Sequence, residues 1–180
     1  MRKLVVSEFV SLDGVIENPM WTFPYWNDEI AAFKGAETDN TDSLLLGRVT
    51  YEGFAQAWPE SKDEGAPWMN SVPKSVVTST LDNLTWQNSS VLRGDLATEV
   101  NKLKQQPGRD ILLYGSGMLV QALMALDLVD QYNLLYYPVV LGKGQKLFEE
   151  GREAKLKLVE TMSFSSGVVG LIYVPDREAN

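Results

Sequence analysis

The stretch DILLYGSGMLVQAL, residues 110–123, restricts the fold more than any other part of the chain. An apolar run stops at Gly115-Ser116-Gly117, and Leu119, Ala122, Leu123 and Leu126 then recur at helical spacing. A buried strand that turns through glycine straight into a helix is the repeating unit of a parallel α/β sheet. LLLGRVT, residues 44–50, has the same form. In such sheets ligands bind beyond the carboxyl ends of the strands, where a helix start offers free N–H groups and a partial positive charge. Two readings are open. The glycines are tight turns, or the two junctions hold the two ends of one extended phosphate ligand. A Rossmann fingerprint is excluded, because Val120 stands where G-x-G-x-x-G needs its third glycine. No Gly-Lys-Ser/Thr follows, which excludes a P-loop.

The rest of the chain fits the same architecture. KLVVSEFV, residues 3–10, reads as a buried strand. Residues 11–27 form a long loop containing Asp13-Gly14, a turn signal, and four aromatics, Trp21, Phe23, Tyr25 and Trp26. These aromatics either cover the core or wall a flat heterocycle. DEIAAFKGAE is a helix with acids in its first turn. Tyr51, Phe54, Ala55 and Trp58 mark one face of another helix. KSVVTST is a strand, one or two short strands follow within 84–92, and Asp95 caps a helix carrying Leu96, Val100 and Leu103. VDQYNLLYYPVVLG is strand-like up to Pro138, and AKLKLVETMSF and GVVGLIYVP are strands joined by a turn at 165–167. Strands and helices alternate to about residue 137, and strands then follow strands. The expected fold is a single α/β domain over 1–180, a mostly parallel sheet with an antiparallel C-terminal edge.

Composition narrows the chemistry. The 180 residues contain no cysteine and no histidine, which removes thiol and imidazole catalysis and the usual zinc sites. The net charge is −8 and the 16 basic residues are scattered, which argues against a nucleic-acid surface and against anionic membranes. No apolar run approaches the roughly 20 residues that cross a bilayer, so a cytoplasmic protein is expected. A small anionic ligand remains open, because local donors outweigh net charge at short range.

Five segments in order resemble the dihydrofolate reductase-like superfamily. Within it the resemblance is to the C-terminal reductase domain of the riboflavin-biosynthesis (pyrimidine) reductases and their stand-alone relatives. The segments are SLDGVI, LLLGRVTYEGFAQAW, PKSVVTST, DILLYGSGMLVQALMALDLVDQYNLL and YYPVVLGKGQKLF. The resemblance implies a three-layer α-β-α fold, a homodimer and an NADPH site. Gly47, Arg48 and Thr50 would lie on the helix start that meets the cofactor, with Arg48 a donor to the adenosine 2′-phosphate. Ser79 and Thr80 would line the same phosphate end. Gly115, Ser116, Gly117, Met118 and Leu119 would cradle the pyrophosphate, and Ile16 would lie near the nicotinamide. For each residue a plainer role stands beside this one. Arg48 can be a solvated helix-start residue, and Ser79 and Thr80 turn residues.

Hydride transfer needs no protein nucleophile, but a proton must often reach the substrate. In dihydrofolate reductases a carboxylate on the first helix assists. Aligning DEIAAFK on Phe33-Lys34 puts Glu29 at that position with Asp28 beside it. The alternative is that both acids complement the helix start. The riboflavin enzymes often carry a deaminase domain with a zinc motif, for which these residues offer no Cys or His. The leading expectation is an NADPH-dependent reductase of a small heterocycle. The alternatives are a nucleotide-binding protein on the same fold without turnover, and a partner-binding domain without a cofactor.

Overall fold

Leu44, Leu45 and Leu46 show how the sheet is built. All three are fully buried, yet they point to opposite faces and join different apolar clusters. A strand covered on both sides has no polar face, which is why the parallel strands read as continuous apolar runs. The computed structural model describes residues 1–148, 150, 151 and 153–178. Its strands are β1 (Leu4–Ser11), β2 (Thr41–Gly47), β3 (Lys74–Val77), β4 (Ser89–Leu92), β5 (Asp110–Tyr114), β6 (Gln131–Tyr137), β7 (Leu156–Ser163) and β8 (Val169–Pro175). Its helices are α1 (Asp28–Asn40), α2 (Arg48–Ala57), α3 (Ala66–Ser71), α4 (Leu96–Gln105) and α5 (Gly117–Ala125), with a 3-10 helix over Pro19–Tyr25.

The strands form one sheet in the order β4-β3-β2-β5-β1-β6-β8-β7. The first six are parallel, and β8 and β7 add antiparallel at one edge. This is the expected mixed sheet, with helices on both faces. Leu4, Val6, Val10, Leu45, Ile111 and Leu113 pack with Val100 of α4 and Leu119, Val120 and Leu123 of α5. Val5, Leu44, Leu46, Val76 and Leu112 pack with Tyr51 of α2 and Met69 of α3. Each such leucine contributes about 1.5–3 kcal/mol on burial. Ile30 of α1 covers Leu135 and Tyr137.

Caps set the helix starts. Asn27 Oδ1 accepts from Ile30 N at 3.0 Å, and Asp95 Oδ1 accepts from Thr98 N at 2.9 Å. Ser116 begins α5 in the left-handed region, at φ 60°. Residues 84–92 yield one strand, β4, within the expected one or two. Two details depart from the sequence reading. The short helix α3 was not anticipated. The aromatic loop contains the 3-10 helix, where Trp21 and Tyr25 stand edge-on to Tyr137 at 5.5 and 5.9 Å and so cover core. Trp26 packs on Phe9 while half exposed, and Phe23 is exposed.

Candidate functional site

The two strand–glycine–helix junctions meet. β2 and β5 are parallel neighbours, so α2 and α5 start side by side at the carboxyl edge of the sheet. Ser116 locks them together. Its Oγ accepts from Gly47 N at 2.9 Å, and its N–H donates to Thr50 Oγ1 at 2.9 Å. A Cβ on Gly47 would lie 3.3 Å from Ser116 Oγ, and one on Gly115 would lie 3.2 Å from Thr50 Oγ1. A Cβ on Gly117 would lie 2.7 Å from Ile16 Cδ1 and 2.9 Å from Gln145 Nε2. These glycines therefore serve close docking of two helix starts and the first loop. The sequence reading left open whether the glycines make tight turns or admit a ligand.

The docking decides which donors remain. The N–H groups of Gly47 and Ser116 are used within the protein. Those of Gly117, Met118 and Leu119 lie in the first turn of α5 and have no intrahelical acceptor. The same holds for Arg48, Val49 and Thr50 in α2. Each of the two neighbouring helix starts thus carries a partial positive charge at the carboxyl edge of the sheet. Leu119 is a core residue and can offer only its backbone. Val49 and Met118 stand on the two starts with their side chains 71% and 78% exposed.

Beside α2 lies a cavity of about 690 Å³ lined by Arg48, Val77, Thr78, Ser79, Thr80, Leu92, Arg93 and Gly94. Thr78 Oγ1 accepts from Thr80 N and Leu81 N at 3.2 and 3.1 Å, which shapes the turn after β3. Arg48 Nη1 binds Glu52 at 3.0 Å, one helical turn on. Sequence reasoning named Arg48, Ser79 and Thr80 but missed Arg93, which follows β4, a strand too short and polar to anchor in advance.

The structure brings together Ile16, Gly47, Arg48, Thr50, Ser79, Thr80 and residues 115–119. It sets Asp28 and Glu29 apart from them. Both are exposed at the start of α1. Glu29 accepts from Ser165 N at 2.7 Å and from the Ser165 hydroxyl, on the turn joining β7 and β8. Those bonds, with one from Asn27, hold its carboxyl below the usual carboxylate range. Such a group fastens α1 to the far edge of the sheet and is poorly suited to holding a proton.

A buried polar array lies closer to the junctions. Tyr114 directly precedes Gly115. Its hydroxyl donates to Glu37 Oε2 at 3.3 Å, and the Lys34 ammonium sits 4.1 Å from its ring centroid. Lys34 pairs with Glu37 at 2.6 Å and donates to Ser7 Oγ at 2.7 Å, while Asn133 donates to Glu37 Oε1 at 2.8 Å. Burial and the Glu37 charge push the Tyr114 hydroxyl well above its ordinary range. Glu8, the next residue on β1, is buried with Oε1 unpartnered among the described residues. Burial raises its carboxyl well above the usual value, opposed by Lys34 and reinforced by Glu37. The signal for this array was Ser7-Glu8, two polar residues inside an otherwise apolar strand.

Comparison with known proteins agrees with the fold. The chain is 34% identical over 180 residues to the uncharacterized Bacillus subtilis protein YyaP, covering 96% of this chain and 94% of that one. It is 32% identical over 176 residues to uncharacterized YwjB of the same organism, covering 93% and 95%. A Shewanella sp. PV-4 structure named for riboflavin biosynthesis superposes with a TM-score of 0.81 at 21% identity, covering 97% of this chain and 99% of that one. The deaminase/5-amino-6-(5-phosphoribosylamino)uracil reductase of Thermotoga maritima gives a TM-score of 0.69 at 15% identity, covering 97% of this chain and 56% of that one. These two likenesses concern the fold. The RibD C-terminal domain matches residues 2–170, and the chain belongs to that family.

Proposed function

We propose that this reductase-like domain is an NADPH-dependent reductase of a small pterin- or pyrimidine-like heterocycle, acting as a homodimer. One observation carries the reading. The starts of α2 and α5 are clamped together by Ser116, and the start of α2 borders a cavity lined by Arg48, Ser79 and Thr80. The residues fit the cofactor. The unused N–H groups of Gly117, Met118 and Leu119 suit a pyrophosphate, and the guanidinium and hydroxyls suit a 2′-phosphate. Ile16, held against Gly117, would flank the nicotinamide end. When bound, NADPH supplies a hydride. The protein's part is to hold the two ends of the dinucleotide on rigid helix starts. The family membership and the reductase named among the similar folds support this reading.

A second reading, nucleotide binding without turnover, is favoured by the state of Glu29. Its carboxyl is tied to Ser165 and shifted away from proton storage.

The test is a titration with NADPH and NADH followed by intrinsic fluorescence, which the five tryptophans make sensitive. Saturable binding with preference for NADPH is expected. Absence of binding at millimolar cofactor would end the reductase reading. Oxidation of NADPH in a screen of pterins, pyrimidines and quinones would separate turnover from binding alone.

A further inference from the structure

The cavity beside α2 contains two guanidinium groups from different elements, and each is already held by a carboxylate. Arg48 is held by Glu52. Arg93 Nη2 binds Asp82 Oδ1 at 2.5 Å and Leu81 O at 2.8 Å. Among the described residues no acceptor meets Nε or Nη1 of Arg93. By register Leu92 lies beside Val77, so Arg93 follows abreast of Thr78, at the mouth of the turn that presents Ser79 and Thr80. The pair is open to water, with side-chain exposures of 50% and 78% for Arg93 and Asp82. An ion pair this exposed is weak, and its carboxylate is readily exchanged for a doubly charged phosphate, which binds a guanidinium more strongly.

We infer that Arg93 is a second ligand for a phosphate monoester in this cavity, and that Asp82 holds its place until the phosphate arrives. The inference rests on the nucleotide reading above and extends it. Preference for a 2′-phosphorylated dinucleotide over its unphosphorylated counterpart is set by Arg93 against the competition of Asp82. The apolar walls Val77 and Leu92 take the flat body that carries the phosphate. A purely structural role makes a different prediction. If the pair only staples the loop after β3 to β4, removing either partner loosens the same staple, and both substitutions act in the same direction. If Asp82 competes with phosphate, the two act in opposite directions.

The experiment measures dissociation constants for NADPH and NADH on the wild type, Arg93→Gln and Asp82→Asn, with thermal unfolding of each variant. Arg93→Gln is expected to weaken NADPH about tenfold and to leave NADH within about twofold. Asp82→Asn is expected to tighten NADPH about threefold and to leave NADH unchanged. If Arg93→Gln does not fold, Asp82→Asn decides by itself. Unchanged or weakened NADPH binding in Asp82→Asn overturns the inference, and so does an equal loss of both cofactors in Arg93→Gln. A wild type that binds neither cofactor defeats the nucleotide reading itself, whereas a wild type that prefers NADPH while both variants shift together defeats only the assignment of Arg93 and Asp82.

Discussion

Gly115→Ala tests whether the two helix starts are mechanically one unit. Gly115 has φ 58°, where an alanine costs about 1–2 kcal/mol. Its new Cβ would lie 3.2 Å from both Thr50 Cγ2 and Thr50 Oγ1. Thr50 must then turn away, which breaks its bond to Ser116 N at a further cost of about 1 kcal/mol. The expected total is about 2–3 kcal/mol, a fall in Tm of about 5–10 °C for a chain of this size. Thr50→Ala alone loses only the bond, about 1 kcal/mol. In the double variant the crowding is gone and the lost bond is counted once. The double should therefore cost about 1 kcal/mol less than the sum of the singles. Urea unfolding followed by circular dichroism reads all four corners of the cycle. Singles that add to within about 0.5 kcal/mol would refute the coupling.

Three further outcomes follow from the buried and pinned charges. Lys74 is buried over the Trp86 ring, donates to Val72 O at 2.8 Å and Gln87 O at 3.1 Å, and has its ammonium pushed down by burial to about 8. Between pH 8 and 10 the unfolded chain then binds more protons at this residue than the folded one, so wild-type stability should rise with pH relative to Lys74→Met. The same variant should cost about 1–3 kcal/mol at neutral pH, because it orphans carbonyls; an identical pH slope in the two proteins would contradict the assignment. Asp13 accepts from Ser11, Leu141 N and Gly142 N, which hold its carboxyl at about 2. Its contribution is present above the unfolded value near 4 and lost as pH falls toward 2, so Asp13→Asn should flatten the acid limb of stability and speed amide exchange at Leu141 and Gly142. Glu37→Ala leaves Lys34 buried without its counterion and should cost about 3–5 kcal/mol in chemical unfolding, and Glu37→Gln distinctly less.

The parallel half of the fold was legible because burial on both faces writes uninterrupted apolar runs, and because Asp95 and the glycine junctions mark helix starts. The 3-10 helix at Pro19–Tyr25 was not, since two prolines and two turn signals in a short span read as irregular chain. The junction residues lie together in the fold, yet the sequence could not say that Ser116 would spend its own donors and acceptors on Gly47 and Thr50. Glu29 was placed by alignment of one helix. What fixes its carboxyl is Ser165, 136 residues away, which no local alignment reveals. The Lys34–Glu37–Tyr114 array assembles from α1, β1, β5 and β6, so no local pattern announces it. Ser7-Glu8 inside an apolar strand was the one visible trace.

The position of β1 has a consequence for how the protein is made. Its two partners are β5 and β6, whose residues lie more than a hundred positions downstream. On a ribosome the first strand therefore emerges long before either neighbour exists, and the middle of the sheet cannot close until residue 137 has left the exit tunnel. The early segments must wait as a partly collapsed, exposed chain, a state in which long-range pairing is slow and association with other chains competes. Folding should thus be a late, single event, timed by the synthesis of β6.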